Sequence, residues 1–549
     1  MFRKHTQIKQ RDIFTNMESL LTGKSLDVFN DKNQWHHVFR EQVFNKIDER
    51  IFSVLYHNKE GAPNSAVNVL ISMMLLKEGF GWSDSELYDN CRFNILVRNA
   101  LGLLDFRESV PCEASYYNFK RRIQLYLDKH SVDLVKKVYA SITTEQVLHF
   151  KVDGRSVRMD SKLLGSNIAR LSRFEMVHGV LEKFYKYLPE KKKSMLPEEL
   201  SKKLGVIAKE EGEKIVYRSK DTEIADKLVD MGKILYQLVT LYKGESVPYY
   251  DLIAKVLAEQ FNISEANVAP KHHEELKATN IQSAEDTDCD YRKKDEQEIF
   301  GGYSVNVTET CSESGLNLIT VPEVKPASAS DKDFYQSGVE QTESITQQSV
   351  IESFTDGAYH SQANKAYNEA KGIDMVLTGL QGREGRLSFE YQGNDLVIID
   401  TKTGETVSSI LTPQGKSYKI EIEGKKRYIR QQEIDSYFFR KEMEHIPIAR
   451  RNRRNNVEAT IFQVSYFTRN NKVRYRGLQK VTHWLYMRCL WINCVRIKNY
   501  LGETCPKSRN NVVNDVISSS KSFINHFLGF IIEKMNFQIE FSTFSLSRI

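Results

Sequence analysis

The chain has 549 residues, 40% hydrophobic and 27% charged, with a formal net charge of +6, ordinary proportions for a soluble globular protein with room for about two to four domains. Its seven cysteines, Cys91, Cys112, Cys289, Cys311, Cys489, Cys494 and Cys505, are odd in number, scattered and without a C-x-x-C pair, which excludes a zinc ribbon or disulfide framework and fits reduced thiols in a cytoplasmic protein. The N-terminus lacks the apolar core of a secretory signal, and no run of about 18 apolar residues occurs, so membrane insertion is not expected.

Residues 1–145 read as a helical domain. Glu41–Tyr56 has helical apolar spacing, Ser65–Glu78 is a strongly apolar helix, and Ser83-Asp84-Ser85-Glu86 is a capped start of the next one. Ser115–Tyr126 and Ser131–Ile142 follow. Such short helices and tight turns suit either a helix-turn-helix that docks on DNA ends or a plain bundle.

The texture changes at 146–165. In VLHFKVDGRSVRMD the apolar residues alternate as two short strand pieces around the Asp153-Gly154 turn, and Asp160 ends the second piece. A carboxylate at the end of a rigid strand is a good metal-ligand position, and a helix cap is the other use of that residue. Residues 166–300 read as a helical insertion followed by a polar loop, whose Lys293 and Lys294 are candidate phosphate contacts. Residues 301–380 turn β, with a hairpin, a polar helix over Asp331–Gln347, the strand Val350–Thr355 closed by Asp356-Gly357, the helix Ser361–Gly372 and the strand Ile373–Thr378. That order builds a mixed sheet flanked by helices. Residues 381–446 read as a β-rich insertion with Gly-containing turns.

Residues 447–505 hold the densest charge. Ala449–Lys480 carries nine Arg and Lys and one acid, Glu458. Val457, Ile461 and Val464 mark the buried stripe of a helix, and Glu458 lies beside that stripe. A lone carboxylate in a phosphate-attracting field reads either as a metal ligand working on nucleic acid or as a solvated partner of Arg454 one turn back. Leu478–Tyr500 is an aromatic-rich core helix, and residues 506–549 form a tail with no functional reading.

Asp160, Asp356 and Glu458 therefore sit on three separate elements, the arrangement that two-metal phosphoryl transfer requires of its hard oxygen ligands. Several stretches, in order, resemble the DDE transposases of bacterial insertion sequences, which have an RNase H-like catalytic domain. RMDSKLLGSNIARLSR is similar to the first-aspartate motif, FTDGAYHSQAN to the second, and RRNNVEATIFQV with KVRYRGLQK to the glutamate helix and its basic continuation. DTDCDYRKK before GYSVNVTET is similar to the segment leading into the second strand. GAPNSAVNVLISMMLLKEGFGWSDSEL, RNALGL and YYNFKRR resemble the helical N-terminal domain of the same transposases.

The resemblance covers about 60 to 505. It implies an α/β fold: a helical N-terminal domain, then an RNase H-like mixed-sheet core interrupted by a helical insertion and a small β-rich insertion. It assigns catalysis and two Mg²⁺ or Mn²⁺ ions to Asp160, Asp356 and Glu458, with Asp153 the rival of Asp160. It also implies binding of the element's terminal inverted repeats, cleavage, joining of 3′ ends to target double-stranded DNA, a homo-oligomer in the synaptic complex, and a bacterial cytoplasmic, nucleoid-associated location. Arg450, Arg451, Arg453, Arg454, Lys472, Arg474 and Arg476 are the expected phosphate contacts. Arg454 matches the family's arginine four residues before the glutamate. Arg451 and Ser465 stand where some relatives have tyrosine and lysine, so the hairpin mechanism of those relatives is not carried over. The alternatives are a catalytically inactive DNA-binding relative and a nuclease of the same fold without strand transfer.

Overall fold

The helix Val67–Phe80 is buried on every side from Val67 to Gly79, so it shows no polar face. It stops at Gly81, whose φ of +72° is the left-handed conformation that ends helices cheaply only at glycine. Next comes a capping box in which Ser83 and Glu86 satisfy each other's backbone N–H groups, opening Asp84–Phe93 as its sequence predicts. The helices Glu113–His130 and Leu134–Phe150 complete this region. The helix expected over Glu41–Tyr56 is instead the end of Trp35–Gln42 followed by two 3₁₀ turns, Phe44–Lys46 and Glu49–Leu55. The Asp48 carboxylate accepts the Arg50 N–H between those turns, a local bond that competes with continuous α-helix.

In this computed structural model the described residues are 1–4, 17–57, 60–264, 267–293, 299–313, 315–379, 385–393, 395–412 and 417–504. Met1–Arg496 forms one compact unit. The other unit, Ile497–Ile549, is described only as the end of the helix Leu478–Thr504. The tail beyond 505 lies outside the described residues, as do Cys505 and Lys294.

The fold is mixed α/β around a six-stranded mixed sheet. Its first strand, β1 (Ser156–Gly165), runs past Asp160 rather than ending there, because nine residue pairs to a long antiparallel neighbour carry it on to Gly165. Two short strands, β2 (Phe261–Ser264) and β3 (Asn267–Pro270), form a hairpin, and β4 (Asp290–Lys293) joins the sheet edge. Both lie where a polar loop was expected. The long partner of β1 is β5 (Ile299–Thr310), which also pairs with β6 (Ile319–Pro326). On the other side of β1 lies β7 (Glu352–Thr355), parallel to it and to β8 (Asp374–Leu377). The order is β4-β5-β1-β7-β8, with β6 beside β5.

Side chains alternate across a strand, and here that alternation separates structure from chemistry. Val157 and Met159 of β1 face the helix Tyr335–Thr346, in a cluster with Tyr335, Val339, Phe334 and Tyr359. Arg158 and Asp160 face the opposite way, onto the segment Asn452–Ser465. The helical insertion between β1 and β2 buries its own core, including Phe174, Val177, Leu181, Phe184, Leu235 and Ile253. The β insertion consists of β9 (Leu387–Gln392), β10 (Asp395–Asp400), β11 (Thr406–Val407), β12 (Ser409–Leu411), β13 (Ser417–Ile422) and β14 (Lys425–Arg430), in two three-stranded sheets. These share a small core of Leu387, Phe389, Ile398, Ile420, Ile429 and Ile434, the last from the helix Gln431–Glu444. No helix among the described residues is long and apolar enough to cross a membrane.

Candidate functional site

The register of two parallel strands brings the aspartates together. Arg158 pairs with Phe354, the last paired positions of β1 and β7, and Asp160 and Asp356 each lie two residues further on. Asp356 leaves the sheet as the cap of a 3₁₀ turn, Gly357–Tyr359, its carboxylate accepting the Ala358 N–H at 2.9 Å. The helix Asn455–Ser465 packs across β1 and β5 through Val457, Thr460, Ile461 and Val464 and brings in Glu458 from outside the sheet.

One side chain joins all three carboxylates. Arg454 lies 2.8 Å from Asp160 Oδ1 and 2.9 Å from Glu458 Oε1, and 3.9 Å from Asp356 Oδ2. The Arg454 side chain is 10% exposed and that of Asp160 14%, against 59% for Glu458, so the contact is sheltered at the sheet and open at the helix. Three carboxylates share this one guanidinium, leaving the cluster two positive charges short. Burial pushes the Asp160 carboxyl up to about 6 against the opposing pull of Arg454, and burial raises Asp356 as well. A fourth acid, Asp331, accepts the Ser161 hydroxyl at 2.7 Å and raises Asp356 further. No motif marks Asp331 in the sequence.

The donor set is made of hard oxygens in a charge-deficient, half-sheltered cluster, and that chemistry fits divalent cations of the Mg²⁺ type. Among the described residues, no three His, Cys, Asp or Glu form a metal-holding group as the side chains stand. The Arg454 guanidinium instead engages Asp160 Oδ1 and Glu458 Oε1. Asp153, the alternative first ligand, is bound instead to Arg155 at 3.0 Å in a turn.

Behind the carboxylates lies a buried ionic clamp that the sequence does not announce. Glu309 of β5 is the register partner of Arg158 and is fully buried. It binds Arg158, accepts the Thr460 hydroxyl at 2.8 Å and meets Arg496 at 2.8 Å. The two arginines hold its carboxyl below the usual range despite the burial, so it stays ionised. Thr460 is two residues from Glu458, so the clamp fixes the glutamate helix to the sheet.

The expected phosphate-binding residues have varied surroundings. Arg450 binds Glu352 and Asp374, both at 2.6 Å, and Arg453 binds Glu352 at 3.3 Å, Glu313 and the Cys311 carbonyl. The Nε of Arg451 is buried without a hydrogen-bond partner. Lys472 donates to the Ile168 carbonyl, Arg474 to that of Trp82 and Arg476 to that of Asn167 and to Glu285. Lys293 is exposed on β4, away from any contact with the three carboxylates.

Three acids from three elements thus converge on one cation beside a basic segment. The family model of a transposase domain (DUF772) matches residues 25–122, the helical region ending in Glu113–His130. The match supports a transposase family, and a transposase domain implies DNA as a partner in general. No curated protein matches the chain, and no solved structure does.

Proposed function

We propose that the chain is a DDE transposase, with β1, β5, β6, β7 and β8 as an RNase H-like core and Asp160, Asp356 and Glu458 as its catalytic carboxylates. Residues 1–145 would be its end-binding domain. The observation that carries this reading is the convergence on Arg454 of three acids from three elements, in a chain that also matches a transposase domain.

In this reading Asp160, Asp356 and Glu458 would hold two divalent ions. Bound there, the ions supply Lewis-acid polarisation of water or a 3′-hydroxyl and charge for the leaving oxygen. The protein contributes position. The strand register sets the aspartates, the Glu309 clamp sets the glutamate helix, and Tyr359, buried and donating to Asn306 at 2.5 Å, closes the turn below Asp356. Arg454 supplies cationic charge to the carboxylates until a phosphate offers it a stronger partner. Cleavage would free a 3′ end that attacks target DNA while the basic segment holds phosphates.

The test uses the purified full chain, Mg²⁺ and labelled duplexes from the borders of the encoding element. Cleavage and strand joining are expected, with losses of about 10²-fold or more for each of Asp160→Ala, Asp356→Ala and Glu458→Ala. Undiminished cleavage in all three would sink the assignment. A catalytically inactive DNA-binding relative is the second reading, favoured by the Arg454 contacts that engage the carboxylates. It requires footprints on the ends without cleavage. A nuclease without strand transfer would cut and never join.

A further inference from the structure

The helix Asn455–Ser465 has a second unusual feature. Its inner side is Val457, Thr460, Ile461, Val464 and Ser465, all buried. Its outer side begins with Glu458 and continues one and two turns later with Phe462 and Tyr466, which are 62% and 56% exposed. Solvent-facing positions of such a helix ordinarily carry polar groups. Single exposed apolar residues are common and mean little, but these rings touch. Phe462 and Tyr466 have centroids 5.9 Å apart, and Tyr466 and Phe467 5.0 Å. Phe467 is itself fixed, with the Arg488 guanidinium 4.9 Å from its ring and Gly81 so close that a Cβ there would overlap it. The result is a continuous aromatic strip, anchored at Phe467, whose other end lies one turn from the candidate catalytic glutamate.

Charge narrows what covers it. From Ala459 to Gly502 the chain has eight Lys and Arg and no acidic residue. A second copy of this chain would bring the same basic segment to the contact, a like-charge juxtaposition that association disfavours. A polyanion with flat apolar surfaces matches. Paired duplex DNA does not, because it turns its phosphates outward and keeps its base faces stacked inside. Unpaired nucleotides offer both the charge and the π-face, and base stacking on aromatic side chains tolerates any sequence.

We infer that Phe462 and Tyr466 form a stacking platform for unpaired bases of the DNA strand beside the scissile phosphate. This rests on the proposed phosphoryl-transfer reading of Glu458. It adds that the substrate is partly single-stranded at that point and that the protein holds the unpaired part through the bases. Arg469, exposed just beyond the strip, is placed to meet the accompanying phosphates.

The test is binding of the full-length protein, without divalent ions, to two labelled duplexes of one sequence, one blunt and one with a short single-stranded extension carrying 2-aminopurine. The wild type is expected to favour the extended duplex and to quench the fluorophore. Phe462→Ala and Tyr466→Ala should each weaken that complex about fivefold or more, leave the blunt one unchanged and abolish quenching. Phe462→Tyr and Tyr466→Phe, which keep a ring, should restore it. Both sites are exposed, so the alanine variants should fold, as thermal melts will verify. Equal affinity for the two duplexes overturns the inference. So does loss of self-association in the alanine variants, seen by light scattering, with extended-duplex binding intact. Because no cleavage is read, failure here leaves the carboxylate assignment standing, and failure of the alanine series at Asp160, Asp356 and Glu458 is seen separately.

Discussion

Asp160 binds its proton more tightly in the folded chain than in the unfolded one, because burial pushes its carboxyl up to about 6. The sign follows from linkage. This residue's contribution to stability is fullest below about pH 4 and is lost as pH rises through about 6. Asp160→Asn should therefore raise the melting temperature in EDTA at pH 7.5, by an amount worth about 1–3 kcal/mol, and lose that advantage by pH 4. Equal melting differences at both pH values would contradict it. Arg454 gives a second prediction at this scale. In the proposed function, divalent ions would compete with its guanidinium, which pairs with Asp160 and Glu458. Calorimetric titration of DNA-free Arg454→Gln with Mn²⁺ should therefore show affinity several-fold above wild type, while DNA cleavage falls.

At the scale of the element, the glutamate helix is held by Glu309 rather than by its own propensity. Glu309→Gln leaves Arg158 and Arg496 facing a neutral group in the interior. Breaking one side of such a buried ionic group costs about 3–5 kcal/mol, which urea denaturation would register. Here the limits of the sequence are plain. Val457, Ile461 and Val464 foretell the buried stripe through periodicity, and the capping box at Ser83 and Glu86 foretells a helix start. Both signals are local. The pairing of Arg158 with Glu309 across 151 residues is set by strand register, which no local pattern encodes. Asp331 reaches the site through tertiary packing alone, and the length of β1 past Asp160 depends on its partner β5. The three carboxylates could be named from spacing and resemblance; Arg454 was legible as the helical neighbour of Glu458 and as an expected phosphate contact, but not as a partner of the two aspartates.

At the scale of the whole molecule, Arg488 ties the region matching a transposase domain to the glutamate helix. It is 4% exposed, and burial lowers its guanidinium to about 10. It donates to the carbonyls of Glu78 and Gly79, at the end of Val67–Phe80, and of Gln463 and Val464, at the end of Asn455–Ser465. A cation at two helix C-termini satisfies orphan acceptors and opposes both dipoles. Arg488→Met should cost about 3 kcal/mol, and amide exchange should quicken at both helix ends together. Quickening at one end alone would show that the two ends are not coupled through this residue.

The clamp on Glu309 closes only through Arg496, 187 positions later in the chain. A ribosome making this protein therefore releases both aspartates long before, and the glutamate shortly before, the arginine that completes the brace. A nascent chain that has not yet released Arg496 carries all three acids and yet lacks the full brace, a timing that delays the fixing of the carboxylate cluster.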